Sequence, residues 1–514
     1  MRIISIILLA ALFLASLSLI PHPAALAQDK EEAKAEPEEK EPNKLVIACR
    51  KKVVRLHEKA ADALEDVGRD GDAILEYELI LYHDPDHKDA RKALGFEKNK
   101  LGAWIFDRDW EAPTNDSGDE KQKDLDKAQA KFAKYREEIV EELLEACEEL
   151  EKDGETSEAA LLFSDAAWYA PDDKEIAELR GWQKIDGAWH PSYYADEKSE
   201  ALELLDAAIK RVDEKCKPAA YTMEAGDTQI EFQKVALGDA IYSAIEGVRA
   251  KRQLAVALAS LDLMTKVLSK EPLEDYAYAG YEFSKQANFH AAIDATDAED
   301  KKKAFAKDLT FWWAQSDTLY LSRASVQFSL NADAILDDAN CGCAANWHIR
   351  YNRDGYNPDA WLYIGNFAYT TSRVVGSTRS NLYAVLDKVA RDRTAAEERR
   401  NRYEGMIPNL DKGDLTIESM RALERNRVRL DDQIDLLELA NMNVNEIRAH
   451  EASLAYGTYE FLMNAHREKF VAWLLTVQEK NQDGKERLRL LLESLELEYH
   501  ELIAEYRDWV KLHF

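Results

Sequence analysis

Two stretches of the chain carry side chains of the kinds that do metal chemistry. The first, Ile335 to Cys341, reads Ile-Leu-Asp-Asp-Ala-Asn-Cys, so Asp337 and Cys341 stand four residues apart with Asp338 next to the first. On a helix, positions i and i+4 share a face. A zinc hydrolase uses that spacing with two His ligands, sets a Glu between them as base, and takes a third ligand from nearby. No His-Glu-x-x-His occurs in this sequence; His500-Glu501-Leu502-Ile503-Ala504 ends on a side chain that cannot ligate. Asp337, Cys341, Cys343 and His348 make one conceivable donor set, because thiolate and imidazole suit zinc. Cys341 and Cys343 are two apart, however, and point to different helical faces, which favours buried, inert thiols. Asp337 and Asp338 diverge as neighbours on a helix, so an acidic cap or loop contact is expected rather than an acid pair. The chain has no Gly-x-Ser-x-Gly elbow, phosphate-cradling loop or dinucleotide fingerprint.

The second stretch, Asp359 to Ser372, reads Asp-Ala-Trp-Leu-Tyr-Ile-Gly-Asn-Phe-Ala-Tyr-Thr-Thr-Ser. Together the two resemble the paired active-site helices of the gluzincin, or peptidase-MA-like, metallopeptidases. That family carries His-Glu-x-x-His on the first helix and Trp-Leu-x-Glu-Gly-x-Ala-Glu-Tyr on the second. Trp361, Leu362, Gly365 and Tyr369 match the second motif. In this register Asp337 and Cys341 take the histidine places and Asp338 the base place. Ile364 takes the third-ligand place and Ala368 that of the second Glu. An isoleucine cannot coordinate a metal, so the resemblance implies a zincin-like scaffold with vestigial positions, no catalytic residue, no metal and no cofactor. Between the stretches lies a turn-rich loop, Tyr351 to Pro358. Its Tyr351, Arg353 and Tyr356, with Trp361 just beyond, are residue types that favour interfaces; a plain surface loop is the other reading.

The elements around these stretches fit the same resemblance. From Lys217 the texture changes: Tyr221 to Val235 reads as strands around the turn Ala225-Gly226-Asp227, Leu237 to Leu258 as a helix, and Leu261 to Leu268 as a strand. Thr310 to Ala314 and Thr318 to Ser322 form a candidate hairpin, resembling the family's edge strand beside the substrate. Helices are expected from Ala332, Asp359, Ala395, Thr416 and Asn445. The segments from Tyr456 to Leu462 and from Phe470 to Leu475 resemble the family's closing helices.

The N-terminal part repeats itself. Ala73, Pro85 and Gly95 recur as Ala159, Pro171 and Gly181, and Gly102-Ala103-Trp104 recurs as Gly187-Ala188-Trp189. Ala73, Tyr77 and Ile80 share a helical face that Pro85 terminates. This resembles the second helix of a tetratricopeptide repeat, with first helices in Val53 to Val67 and Glu141 to Leu150. Lys121 to Lys134 reads as an exposed helix between copies, and each Gly-Ala-Trp as a short extended arm. The repeats offer a partner surface or pack only on each other and the next domain.

The first residues, one Arg and then a largely apolar run from Ile3 to Ile20 before Ala25-Leu26-Ala27, read as a secretory signal cleaved after Ala27. An uncleaved anchor is the alternative. Charge settles another class: a formal net charge of −30 disfavours nucleic acid and anionic lipid. Five cysteines are too few, and odd in number, for a disulfide framework.

The expected fold is mostly α with a small β component: tetratricopeptide-like helix pairs, then an α+β zincin-like domain with a long helical tail. In order, residues 1–27 are the signal and 28–44 a disordered acidic linker. Residues 45–195 hold two modules, about 45–115 and 135–195. Residues 196–216 are a connecting helix and 217–514 the degenerate zincin-like domain. The function expected is an exported, periplasmic or secreted, non-catalytic scaffold binding a protein or peptide, without a membrane span after cleavage. The alternatives are an active hydrolase using Asp337, Cys341 and His348, and a purely structural α-rich envelope protein.

Overall fold

The protein is described from a computed structural model. It covers residues 43–98, 104–107, 110, 113, 122–170, 173–185, 187–268, 278–295, 311–313, 318–322, 332–350, 359–376, 417–429, 434–442, 447, 449–477 and 484–514. The signal, nearly all of the linker, the loop from Tyr351 to Pro358 and the helix expected from Ala395 lie outside these residues. The described chain is mostly helical with small sheets, as expected. No helix among the described residues is long and apolar enough to cross a membrane. The chain divides into two compact units: residues to Ser192 with Arg429–Asp432, and Tyr193–Val428 with Gln433–Phe514.

The first unit contains one motif twice. Helices α1 (Lys44–Glu65), α2 (Asp70–His83) and α3 (Lys88–Ala93) lead into the antiparallel pair β1 (Phe96–Lys98) and β2 (Trp104–Phe106). Helices α4 (Gln122–Lys152), α5 (Thr156–Tyr169) and α6 (Lys174–Leu179) lead likewise into β3 (Gln183–Ile185) and β4 (Ala188–His190). The side chain of Asn43 caps α1 by accepting the Leu45 N–H at 2.8 Å. Gly95 and Gly181 turn each chain into its hairpin with positive φ, +79° and +69°, a conformation that costs glycine little. A Cβ on Gly95 would also stand 2.3 Å from the Trp110 ring.

The expected packing of Ala73 and Ile80 is observed, both wholly buried, with Tyr77 packed on the Val54–Ile80–Ala90 cluster. The larger core interleaves both copies, joining Val53, Leu56 and Leu79 to Leu143, Leu162 and Ala166. One expectation is corrected: the described part of the stretch from Lys121 to Lys134 is no separate helix. Residues 122–134 belong with Glu141 to Leu150 to the continuous helix α4, because no Gly or Pro between them stops it.

The second unit begins at Tyr193, within helix α7 (Ser192–Lys215). A six-stranded sheet follows in the order β5-β6-β7-β8-β10-β9. Strands β5 (Ala219–Ala225), β6 (Thr228–Leu237) and β7 (Ala240–Ala244) form an antiparallel meander, with Gly226 at φ +58° in the first turn. Helix α8 (Gly247–Val267) crosses to β8 (Ala279–Phe283), parallel to β7. Helix α9 (Gln286–Asp294) precedes β9 (Phe311–Trp313) and β10 (Thr318–Ser322), which pair antiparallel as the sequence indicated; β10 runs parallel to β8. One sheet face stacks Phe232, Tyr281, Phe283 and Tyr320 under Phe289 of α9. The other buries Val235, Tyr242, Leu319 and Leu321.

Two further expectations fail here. Leu237 to Leu258 is not one helix: β6 ends at Leu237, β7 follows, and the helix starts at Gly247. Leu261 to Leu268 is not a strand but the end of α8. Residues 254–261 of that helix are all buried, so its apolar run has no helical period to distinguish it from a strand.

After the sheet come α10 (Ala332–Arg350), α11 (Ala360–Val374), α12 (Ile417–Arg429), α13 (Leu436–Asn441), α14 (Ala449–Ala465), α15 (Arg467–Val477), α16 (Gly484–Leu495) and α17 (Tyr499–His513). Helix α10 packs on α8 and on α11, and α11 on α14. This four-helix succession positions Asp337, Asp338, Cys341, Ile364 and Ala368.

Candidate functional site

Helix α10 uses opposite faces for its two neighbours. Toward α8 it presents Asp337, Asn340 and Cys341. Asp337, 3% exposed, accepts from Arg252 Nε at 2.9 Å and Nη2 at 2.5 Å, and also from Gln253 Nε2. Arg249 Nη2 lies 3.5 Å from the same carboxylate and pairs through Nε with Glu282 at 3.2 Å. Asn340 donates to the Gln253 carbonyl at 2.6 Å and accepts the hydroxyl of Tyr278. Ser260 Oγ donates to the Cys341 carbonyl at 2.9 Å and lies 2.8 Å from its Sγ.

Toward α11 the same helix presents Gly342, Cys343 and Asn346. A Cβ on Gly342 would stand 2.2 Å from the Phe367 ring, so glycine is what lets the helices meet. Asn346 Nδ2 donates to the Tyr363 carbonyl at 3.1 Å. Asn366 Nδ2 donates to Asn346 Oδ1 at 3.0 Å, and the Tyr459 hydroxyl donates to Asn366 Oδ1 at 3.0 Å. This amide ladder ties α10, α11 and α14 together through buried, mutually satisfied groups.

The two faces follow from helical geometry. At about 100° per residue, Asp337 and Cys341 are about 40° apart, whereas Gly342 and Asn346 lie about 140° and 180° from Asp337. Helix α11 meets α10 through Tyr363, Asn366 and Phe367; Ile364 and Ala368 lie about 100° or more around from that face. Gly365 faces α14, where a Cβ would stand 2.8 Å from the Ala455 carbonyl oxygen. The structure therefore turns Asp337 and Cys341 to α8, not to Ile364 and Ala368 on α11. Asp338, Ile364 and Ala368 are all buried.

The remaining candidates separate in the same way. Trp361 is not part of an exposed binding surface: it is 4% exposed and stacks on Trp473 with centroids 6.3 Å apart. Tyr351, Arg353 and Tyr356 lie outside the described residues, and for His348 the description reaches only its helical backbone. His500 is exposed on α17, and Glu501 accepts the Glu498 N–H at 2.8 Å in a capping box.

All five cysteines are free and buried. Burial pushes the Cys343 thiol up to about 12, and Cys341 is raised further by burial, with Asp338 and Asp337 adding to it. These are thiols kept protonated, the opposite of a ligating thiolate. Among the described residues no group of three or more His, Cys, Asp and Glu side chains is placed to hold a metal ion.

Two polar clusters carry no sequence motif. In the second unit Arg373, wholly buried, donates to Glu197 at 2.7 Å and to Glu460 at 3.0 Å, and Arg421 reaches Glu460 at 3.4 Å. In the first unit His57, Glu76, His83 and Tyr169 form a buried chain. One signal for the latter was available: His83 and Tyr169 occupy equivalent positions of the internal repeat. Comparison of the chain with protein-family models, with curated proteins and with solved structures found no match.

Proposed function

We propose that the chain is an exported, non-catalytic scaffold that binds a protein or peptide, its second unit a zincin-like domain that has given up the peptidase reaction. One observation carries this reading. Asp337 and Cys341, the residues in the ligand places of the motif, are spent on packing against α8, one by two arginines and a glutamine, the other by a serine. A carboxylate already sharing four donors has no lone pair aimed at a vacant coordination position. The function left to such a domain is recognition. Among the described residues strand β9 ends the sheet order, with β10 as its partner on one side. An extended peptide adds to such an edge through main-chain hydrogen bonds. The tetratricopeptide-like helices of the first unit supply a second surface.

The test is hydrogen exchange of the full chain with and without a panel of extended peptides of mixed sequence. The reading expects slowed exchange at residues 311–313 and intact peptides. Hydrolysed peptides, or binding that leaves 311–313 unprotected, would contradict the edge-strand reading.

A further inference from the structure

The first unit holds a buried chain of titratable groups that the binding function does not use. Glu76 Oε2 is 2.7 Å from His57 Nδ1, and His57 Nε2 is 2.7 Å from the Tyr169 hydroxyl. The same hydroxyl is 2.9 Å from His83 Nε2. None of the four residues is more than 7% exposed, and the two imidazoles stack with centroids 5.9 Å apart. The members come from α1, α2 and α5, so the chain bridges both copies of the repeat.

The hydrogens can be assigned. A carboxylate only accepts, so a neutral His57 gives its Nδ1 hydrogen to Glu76 and offers Nε2 as acceptor to the phenol. Burial raises Tyr169 well above the ordinary phenol range, so it keeps its hydrogen and gives it to His57. The phenol oxygen then accepts from His83 Nε2–H. His83 Nδ1 is left as a bare acceptor, and it has no hydrogen-bond partner among the described residues. Every hydrogen in this chain is used, and the one unmatched atom is an acceptor. Protonating His83 reverses that, burying an unpaired N–H with a full charge.

The surroundings oppose that charge. Arg50 and His57 face His83 from α1, and Arg429 also lies near it. Tyr82 is edge-on to the ring at 4.9 Å and bonds Asp165, whose charge is taken up by Arg429. Glu76 is committed to His57, and Arg136 faces Tyr169 from α4. Burial above all, with the Arg50 and Arg429 charges adding to it, holds the imidazole well below its usual range.

We propose that the Glu76–His57–Tyr169–His83 chain is an acid-release latch: closed, it ties the two repeats together, and a proton taken up at His83 opens it. The open form binds one proton more than the closed form. Below the ordinary imidazole value, about 6.5, the opening equilibrium therefore rises about tenfold per pH unit until His83 titrates in the closed state as well.

The test is carried out on the full chain with histidine-selective isotope labelling, following His83 by NMR and residues 79–83 and 165–169 by hydrogen exchange between pH 7.5 and 4.5. The latch predicts a neutral Nε2–H tautomer at pH 6, and loss of protection in both segments, after correction for intrinsic rates, as pH falls. His83→Gln keeps an N–H donor near the Nε2 place and cannot take up the proton, so its protection should stay level over the same range. A His83 that titrates near 6.5 with protection unchanged overturns the proposal. So does a His83→Gln profile that follows the wild type. Should His83→Gln fail to fold, the wild-type titration decides alone.

Discussion

Replacing Asp337 by alanine separates a packing strut from a ligand held ready for chemistry. The Asp337 side chain is 5% exposed and meets Arg249, whose side chain is 11% exposed, Arg252, at 56%, and the fully buried Gln253. Removing one partner of a buried ion pair costs about 3–5 kcal/mol, because the other charge stays buried without compensation. Arg252 is more than half exposed and recovers its hydration, which lowers the cost. Arg249 keeps Glu282 at 3.2 Å, which lowers it again. Gln253 loses an acceptor inside the core, which adds about 1–3 kcal/mol. The balance is about 2–4 kcal/mol for Asp337→Ala and about half that for Asp337→Asn, which keeps an acceptor for Gln253. Urea unfolding followed by tryptophan fluorescence, to which the stacked Trp361 and Trp473 of the second unit contribute, reads the change. Residues kept for function commonly cost stability, and their removal is neutral or stabilising. A change under about 0.5 kcal/mol, or a gain, would refute the strut.

Three further outcomes are expected. Asn366→Leu strands both the Tyr459 hydroxyl and the Asn346 oxygen and should cost about 2–3 kcal/mol in the same urea assay, with Tyr459→Phe nearer 1. Gly342→Ala forces a Cβ against the Phe367 ring and should cost about 1–3 kcal/mol, read as a lowered urea midpoint. Burial raises the thiols of Cys49 to about 11 and of Cys147 and Cys343 to about 12. A raised thiol pKa means the reactive thiolate is absent below it. A thiol reagent at pH 8 should therefore label these three at the rate of unfolding, and a burst of labelling in the native protein would contradict their burial.

Sequence patterns disclosed elements better than they disclosed facing. The hairpins at residues 219–237 and 311–322 were legible because β-prone runs flanked turn residues. The two helical modules were legible because the chain repeats itself. Strands β7 and β8 were missed, and the end of α8 was read as a strand, because short apolar runs buried on all sides have no period to read. Which helix Asp337 and Cys341 face was not legible for a different reason. A motif fixes spacing along one helix, so Asp337 and Cys341 do share a face. It does not fix which neighbour that face meets. The answer lay in Gly342, which admits Phe367, and in Asn346, which pairs with Asn366. Neither residue type announces itself as a contact until the partner helix is in place. The His57–Tyr169 chain was hidden likewise, since its members stand 112 residues apart in sequence.

The central claim is tested most directly by zinc loading. The full chain, stripped of metal and then dialysed against zinc, should retain none in stoichiometric amount and should leave unstructured protein substrates intact. One zinc per chain, with proteolysis that disappears on chelation and on replacing Asp337 or Cys341, would contradict the scaffold reading.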